Sequence, residues 1–244
     1  MPSDHVTLVC LPFAGAGASF FRAWRKLPSP GVEVAPLQLP GREEQFHRSP
    51  FTDVADAVKE LTPQVLERTA HSSRVALFGH SLGAVLAYEV ARELERGGHP
   101  AFGHLVVSGS PPPWAGRRER TVAVDDEEFL RRVQDFAGYR HEAFDDPDLR
   151  ELLLPTLRAD VTMHESYRPS DRRPLAVPVT VLRGAEDTLV SREEAEEWRH
   201  VTTGPFTYTE PPGGHMYLAD TADPVLHAAA AGTPAVNRGE GDGP

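Results

Sequence analysis

Cysteine and lysine are almost missing from this sequence, and no apolar segment approaches the roughly 18 residues of a membrane-spanning helix. The single cysteine, Cys10, lies inside the apolar run VTLVCL, so no disulfide framework can form within the chain and the residue reads as a small core side chain. A reducing cytoplasm suits such a sequence. The only lysines are Lys26 and Lys59, and neither follows a glycine. A triphosphate-binding loop, which ends in Gly-Lys-Ser/Thr, is therefore excluded. The first residues, MPSDHVTLV, have no basic n-region or long apolar h-region, and the expectation is a soluble protein with no membrane partner. Basic residues are outnumbered, 25 against 36 acidic, for a net charge of -11. That balance argues against nucleic acid as a partner, because affinity for phosphate backbones comes mainly from Lys and Arg.

What is present is enough for one α/β domain: 244 residues, 40% of them hydrophobic. Residues 5–11 and the VEVAPLQ segment from Val32 read as strands, with a short helix at FFRAW between them. Apolar residues recur at helical spacing from Thr52 to about His71, followed by the compact strand RVALFGH and the amphipathic helix SLGAVLAYEVARELERGG. HLVVSGS, VPVTVLRG and PFTYTE supply further strands, and a short helix is expected over Arg192 to Arg199. Strands alternating with helices imply a mainly parallel central sheet with helices on both faces. The rhythm breaks over about residues 111–167, where helical patterns such as DDEEFLRRVQDFAGY read as an insertion over one end of the sheet. The domain is expected to cover residues 1–231, with 232–244 a disordered tail lacking anything to bury.

The chemistry concentrates at GHSLG, Gly79 to Gly83, between the third strand and its helix. The G-x-S-x-G pattern alone arises by chance in roughly one chain in ten of this length, so its context decides. A serine in a sharp strand-to-helix turn is pushed out at the carboxyl end of the sheet, and the flanking glycines let neighbouring backbone approach. A serine hydroxyl needs a base, and of the 11 histidines His215 is favoured, on a loop after PPGG just beyond the PFTYTE strand. His80 adjoins the serine but must leave the turn in another direction, and His141 and His164 lie in the insertion. The base needs a carboxylate, and Asp187 in GAED is favoured over its neighbour Glu186 by loop position. The order Ser81, Asp187, His215 is that of α/β-hydrolases. The loop CLPFAGAGAS after the first strand lacks the third small residue of a dinucleotide fingerprint, since Phe20 stands there. In a hydrolase such a loop holds an oxyanion, with the N–H of Leu82 as one donor and that of Ala14, or alternatively Phe13, as the other.

Several segments together resemble one family, the type II thioesterases that accompany modular polyketide and nonribosomal peptide synthases. They are LPFAGAGAS, LQLPGREEQ, FGHSLGAVLAYEVAR, LLPTLRADVTMHESY, LRGAEDTLV and GGHMYL, spanning Cys10 to Leu218. LPGRE, and LRAD with its following E-x-Y, are more particular than GHSLG. The loop departs from the family's usual adjacent Gly-Gly. The resemblance implies an α/β-hydrolase fold with the insertion as a mobile lid. It also implies hydrolysis of aberrant short acyl groups from the phosphopantetheine arm of acyl or peptidyl carrier proteins, through an acyl-enzyme on Ser81, without metal or organic cofactor. Arg42 and Glu43 would support loop structure. Carrier proteins are typically acidic, so docking on this acidic chain would need a local basic patch, for which Arg117, Arg118 and Arg120 are candidates. The chain is expected to act as a monomer. A general carboxylesterase or lipase, a chain-terminating thioesterase and a catalytically silent carrier-binding module are the rival readings.

Overall fold

The computed structural model describes residues 5–27, 31–116, 123–137, 142–169 and 171–233. Among the described residues six strands form one wholly parallel sheet: β1 (Val6–Leu11), β2 (Val32–Pro36), β3 (Arg74–His80), β4 (Phe102–Ser108), β5 (Val179–Leu182) and β6 (Phe206–Thr209). Their order is β2-β1-β3-β4-β5-β6. Every residue of β1, β4 and β5 is buried, whereas the edge strands β2 and β6 are only partly so. Continuous apolar strands of this kind are stable only when both faces are covered.

Alternation along the strands divides the core in two. Val9, Leu11, Val75, Leu77, Leu105, Val107 and Val181 point to one face, where they meet α2 (Val54–Arg68) and α3 (Leu82–Arg96). Leu8, Cys10, Ala76, Phe78, Val106 and Leu182 point to the other, against α1 (Ala18–Arg22) and a C-terminal helix, Asp223–Gly232. Cys10 is thus a core side chain whose thiol burial pushes far up, out of reach of nucleophilic chemistry. Between β4 and β5 the insertion carries α4 (Asp126–Ala137) and α5 (Pro147–Ser166), and α6 (Arg192–Glu196) follows β5. The C-terminal helix is therefore α7.

Local chemistry sets the helix starts. Asp53 and Asp146 turn their carboxylates onto the first free N–H groups of α2 and α5, and Ser191 with Glu194 forms a reciprocal capping box on α6. In the insertion, Phe129, Leu130, Leu154, Leu157 and Val161 make a separate small core that touches Ala14. The lower end of α5 joins the main core through Met163.

One expected boundary is corrected. The tail does not begin at Gly232: Gly232 closes α7, and Thr233 is buried, its hydroxyl donating to Ala229 O at 2.8 Å and its carbonyl accepting from Arg74. Residues 234–244 lie outside the described residues. The run DPVLHAAAAG also forms a helix that alternation of strands and helices did not require; proline at its start and alanine through its body are a good local signal for it.

Candidate active site

The chain passes from β1 to β2 on one side and then returns to place β3 on the other, so the sheet's switch point falls between β1 and β3. Ligands of open α/β sheets bind outside the carboxyl ends of the strands at such a point. The loop after β1 and the serine turn after β3 flank it.

Ser81 has φ 52° and ψ -117°, a strained conformation for a residue with a side chain, and its N–H donates to Ser108 O at 2.9 Å. The strain is enforced by close backbone packing on both sides. A Cβ at Gly79 would lie 1.9 Å from Gly83 O, and one at Gly83 would lie 2.5 Å from Leu11 O. The side chain of Ser81 does not cap α3, so the helix presents its free N-terminal N–H groups, Leu82 first, beside the hydroxyl.

Asp187 and His215 meet as the sequence order predicts. His215 Nδ1 lies 2.8 Å from Asp187 Oδ2, while Asp187 Oδ1 accepts from the N–H of Leu189 at 2.8 Å and of Val190 at 3.2 Å. Asp187 is almost fully buried. Burial alone would raise its pKa, but the His215 hydrogen bond and charge and the two backbone donors outweigh it, and the carboxyl stays below its ordinary value. An ionised carboxylate on Nδ1 leaves Nε2 as the ring's basic atom. Glu186 is exposed and takes no part. The loop is braced by Arg183, which donates to the carbonyls of Asp187 and Val190 and pairs with Glu210 at 3.0 Å.

His80, the residue before the serine, does more than fill space. Its Nδ1 lies 3.1 Å from Ser108 Oγ, which lies 2.9 Å from Tyr217 Oη, and its ring packs 4.7 Å from that of His215. Burial first, and the neighbouring His215 second, hold His80 well below the ordinary imidazole value, so it stays neutral. Gly109, with φ 53°, makes this pairing possible, since a Cβ there would be 2.4 Å from His80 Cε1 and 3.0 Å from His215 Cε1. Sequence reasoning passed over Ser108, Gly109 and Tyr217; only Tyr217, within GGHMYL, carried any signal. His141 and the arginines Arg117, Arg118 and Arg120 lie outside the described residues. His164 is buried on α5.

In the glycine loop, Ala16 N–H closes a turn on Phe13 O at 3.0 Å, and Gly15, at its third position, has φ 78°. Gly15 N–H donates to Asp160 Oδ2 at 2.8 Å. Among the described residues the N–H groups of Ala14 and Leu82 make no hydrogen bond. Arg42 is buried and forms a bidentate pair with Asp160, both contacts 2.7 Å. Glu43 accepts from Ser19 N–H at 3.0 Å, in line with a supporting role for both residues of LPGRE. Among the described residues no group of three or more His, Cys, Asp or Glu side chains could hold a metal ion, and no helix is long and apolar enough to cross a membrane.

A parallel sheet with helices on both faces, a strained serine after β3 and a buried Asp-His pair from the loops after β5 and β6 define an α/β-hydrolase fold. Residues 6–231 match the thioesterase domain model. The chain belongs to that family, hydrolases that act on thioesters. It is 36% identical over 221 residues to thioesterase PikA5 of Streptomyces venezuelae, covering 90% of this chain and 78% of the relative. It is 37% identical over 225 residues to the "Probable cadicidin biosynthesis thioesterase" of Streptomyces griseus, covering 91% of this chain but 61% of that protein's length. Among solved structures, the type II thioesterase BorB from the borrelidin biosynthetic cluster superposes with a TM-score of 0.83 at 35% identity, covering 93% of this chain and 91% of the other.

Proposed function

We propose that the chain is a type II thioesterase that clears aberrant short acyl groups from the phosphopantetheine arm of acyl or peptidyl carrier proteins. It would do so in the cytoplasm, in polyketide or nonribosomal peptide biosynthesis. The observation that carries this reading is the His215–Asp187 hydrogen bond at 2.8 Å, on the loops after β5 and β6, in a fold that holds Ser81 in a strained turn after β3. Similarity to proteins named as biosynthetic thioesterases supports the substrate class.

In this reading His215 Nε2 takes the Ser81 proton as Oγ bonds to the thioester carbon. The carbonyl oxygen becomes an oxyanion held by Leu82 N–H and Ala14 N–H, and collapse breaks the C–S bond while the imidazolium returns its proton to the departing sulfur. Asp187 stabilises that imidazolium throughout. Water then attacks the acyl-enzyme with His215 again as base, releasing the acid and regenerating Ser81. Every step uses side chains and backbone of this chain, with no cofactor called on.

The test is free-thiol release from acetyl- and propionyl-loaded carrier protein, for wild type and Ser81→Ala, beside matched p-nitrophenyl esters. Rapid release that disappears with Ser81→Ala and exceeds oxyester turnover is the expected result. Preference for the oxyester, or indifference to the carrier protein, would instead make the chain a general esterase.

A further inference from the structure

We infer that Asp160, on the insertion helix α5, together with Arg42 is a positioning pair for the oxyanion-binding loop, so that this part of the insertion is fixed catalytic scaffold. The inference rests on the proposal that Ala14 N–H is an oxyanion donor. Four contacts carry it. Arg42 Nη1 and Nη2 reach the two carboxylate oxygens of Asp160 at 2.7 Å each; Arg42 Nη1 also donates to Ala16 O at 2.9 Å; and Asp160 Oδ2 accepts from Gly15 N–H at 2.8 Å. Both side chains are buried, Asp160 with no exposure at all.

The geometry of the turn says what the pair does. In a four-residue turn from Phe13 to Ala16, the peptide linking Ala14 to Gly15 can face either of two ways, and a glycine with positive φ at the third position marks the flipped, type II form. The N–H of that central peptide is the one Asp160 holds. Arg42 fixes the carbonyl at the end of the same turn. With Gly15 N–H held by Asp160, the Ala14 carbonyl on the same peptide faces the other way, and the turn that carries Ala14 N–H is pinned at its centre and at its end. Leu157, one turn earlier on α5, adds a steric stop, since a Cβ at Gly15 would be 3.2 Å from its Cδ1. A guanidinium from LPGRE and a carboxylate from LRAD, 118 residues apart in sequence, thus act on one peptide turn.

A buried ion pair can be replaced by apolar residues of similar volume with little loss of stability, whereas removing one partner leaves an uncompensated charge. The decisive variant is therefore the double substitution Arg42→Met with Asp160→Leu, with Asp160→Asn as the second. Steady-state kinetics on a small acyl thioester, inhibition by phenylboronic acid and thermal melting would be measured on each. The expected result is kcat lower by about 100-fold, the scale of a roughly 1 Å misplacement of catalytic groups, with KM within about threefold. The boronate, which forms a tetrahedral adduct on the serine, should weaken in parallel, with melting close to wild type. Wild-type kcat in a folded double variant overturns the inference. So does failure of both variants to fold, because the pair is then an element of the fold itself. Ser81→Ala separates the two levels: activity without Ser81 removes the underlying reading, while an inactive Ser81→Ala beside a fully active double variant removes only the positioning role.

Discussion

Acidification should destabilise this protein through a histidine remote from the Asp187–His215 pair. His104 sits in β4 with no exposed surface, its Nε2 2.9 Å from Thr180 Oγ1 on the neighbouring strand. Helix α7 crosses so closely that a Cβ at Gly232 would lie 2.2 Å from the ring. Burial lowers its pKa from 6.5 to about 4. In the unfolded chain the imidazole has its ordinary value, so between those two pH values the unfolded state binds the proton and the folded state does not. Stability therefore rises with pH in this window: the contribution is complete above 6.5 and drains away as pH falls toward 4. Between about pH 7.5 and about pH 5 the loss amounts to about 2 kcal/mol, roughly a 30-fold change in the folding equilibrium. His80, also depressed by burial, adds loss of the same sign. Urea denaturation of wild type and His104→Gln across that range isolates the His104 share, because all other titrating groups cancel in the difference. The wild type should lose about 2 kcal/mol more than the variant. Parallel stability profiles would refute the assignment of a neutral, buried His104.

Further outcomes follow from the site and its surroundings. Asp187→Asn keeps the side-chain shape but removes the charge that fixes the His215 tautomer, and kcat should fall by about 10⁴-fold with the fold intact, as steady-state kinetics and circular dichroism would show. Gly79→Ala puts a Cβ against the Gly83 carbonyl, which cannot swing aside as a side chain could; denaturation should show a loss of about 1–3 kcal/mol and kinetics at least a 100-fold lower kcat. Tyr167→Phe removes the hydroxyl that donates to Glu89 at 2.7 Å in a buried setting, so stability should drop by about 1–3 kcal/mol while turnover per folded molecule is unchanged.

The legible parts of the molecule were those in which a short segment carries its own constraint. GHSLG specifies its turn because the glycines and the serine are contiguous, and the strands announce themselves because both faces are buried. Asp187 and His215 were legible because each follows a strand in the order the fold demands. The partnership of Arg42 with Asp160 was not, since neither spacing nor periodicity relates residues on a loop and a distant helix. The same holds for the His80, Ser108 and Tyr217 chain, whose members come from β3, β4 and the segment after His215. Helix α7 was missed for a different reason: its alanine-rich run lies next to a polar tail, and its burial depends on a sheet face that only the assembled fold supplies.

Wholly parallel strand order also has a kinetic consequence. Neighbouring strands in this sheet cannot be joined by tight hairpins, and each pairing must wait for a long crossover to close. The serine turn is made from one contiguous stretch and can form as soon as β3 docks. Asp187 and His215 hang from β5 and β6, the outermost pair on that side of the sheet, so the base arrives only when the last edge is laid down. A refolding chain should recover its helical signal first, with esterolytic activity returning as the final event.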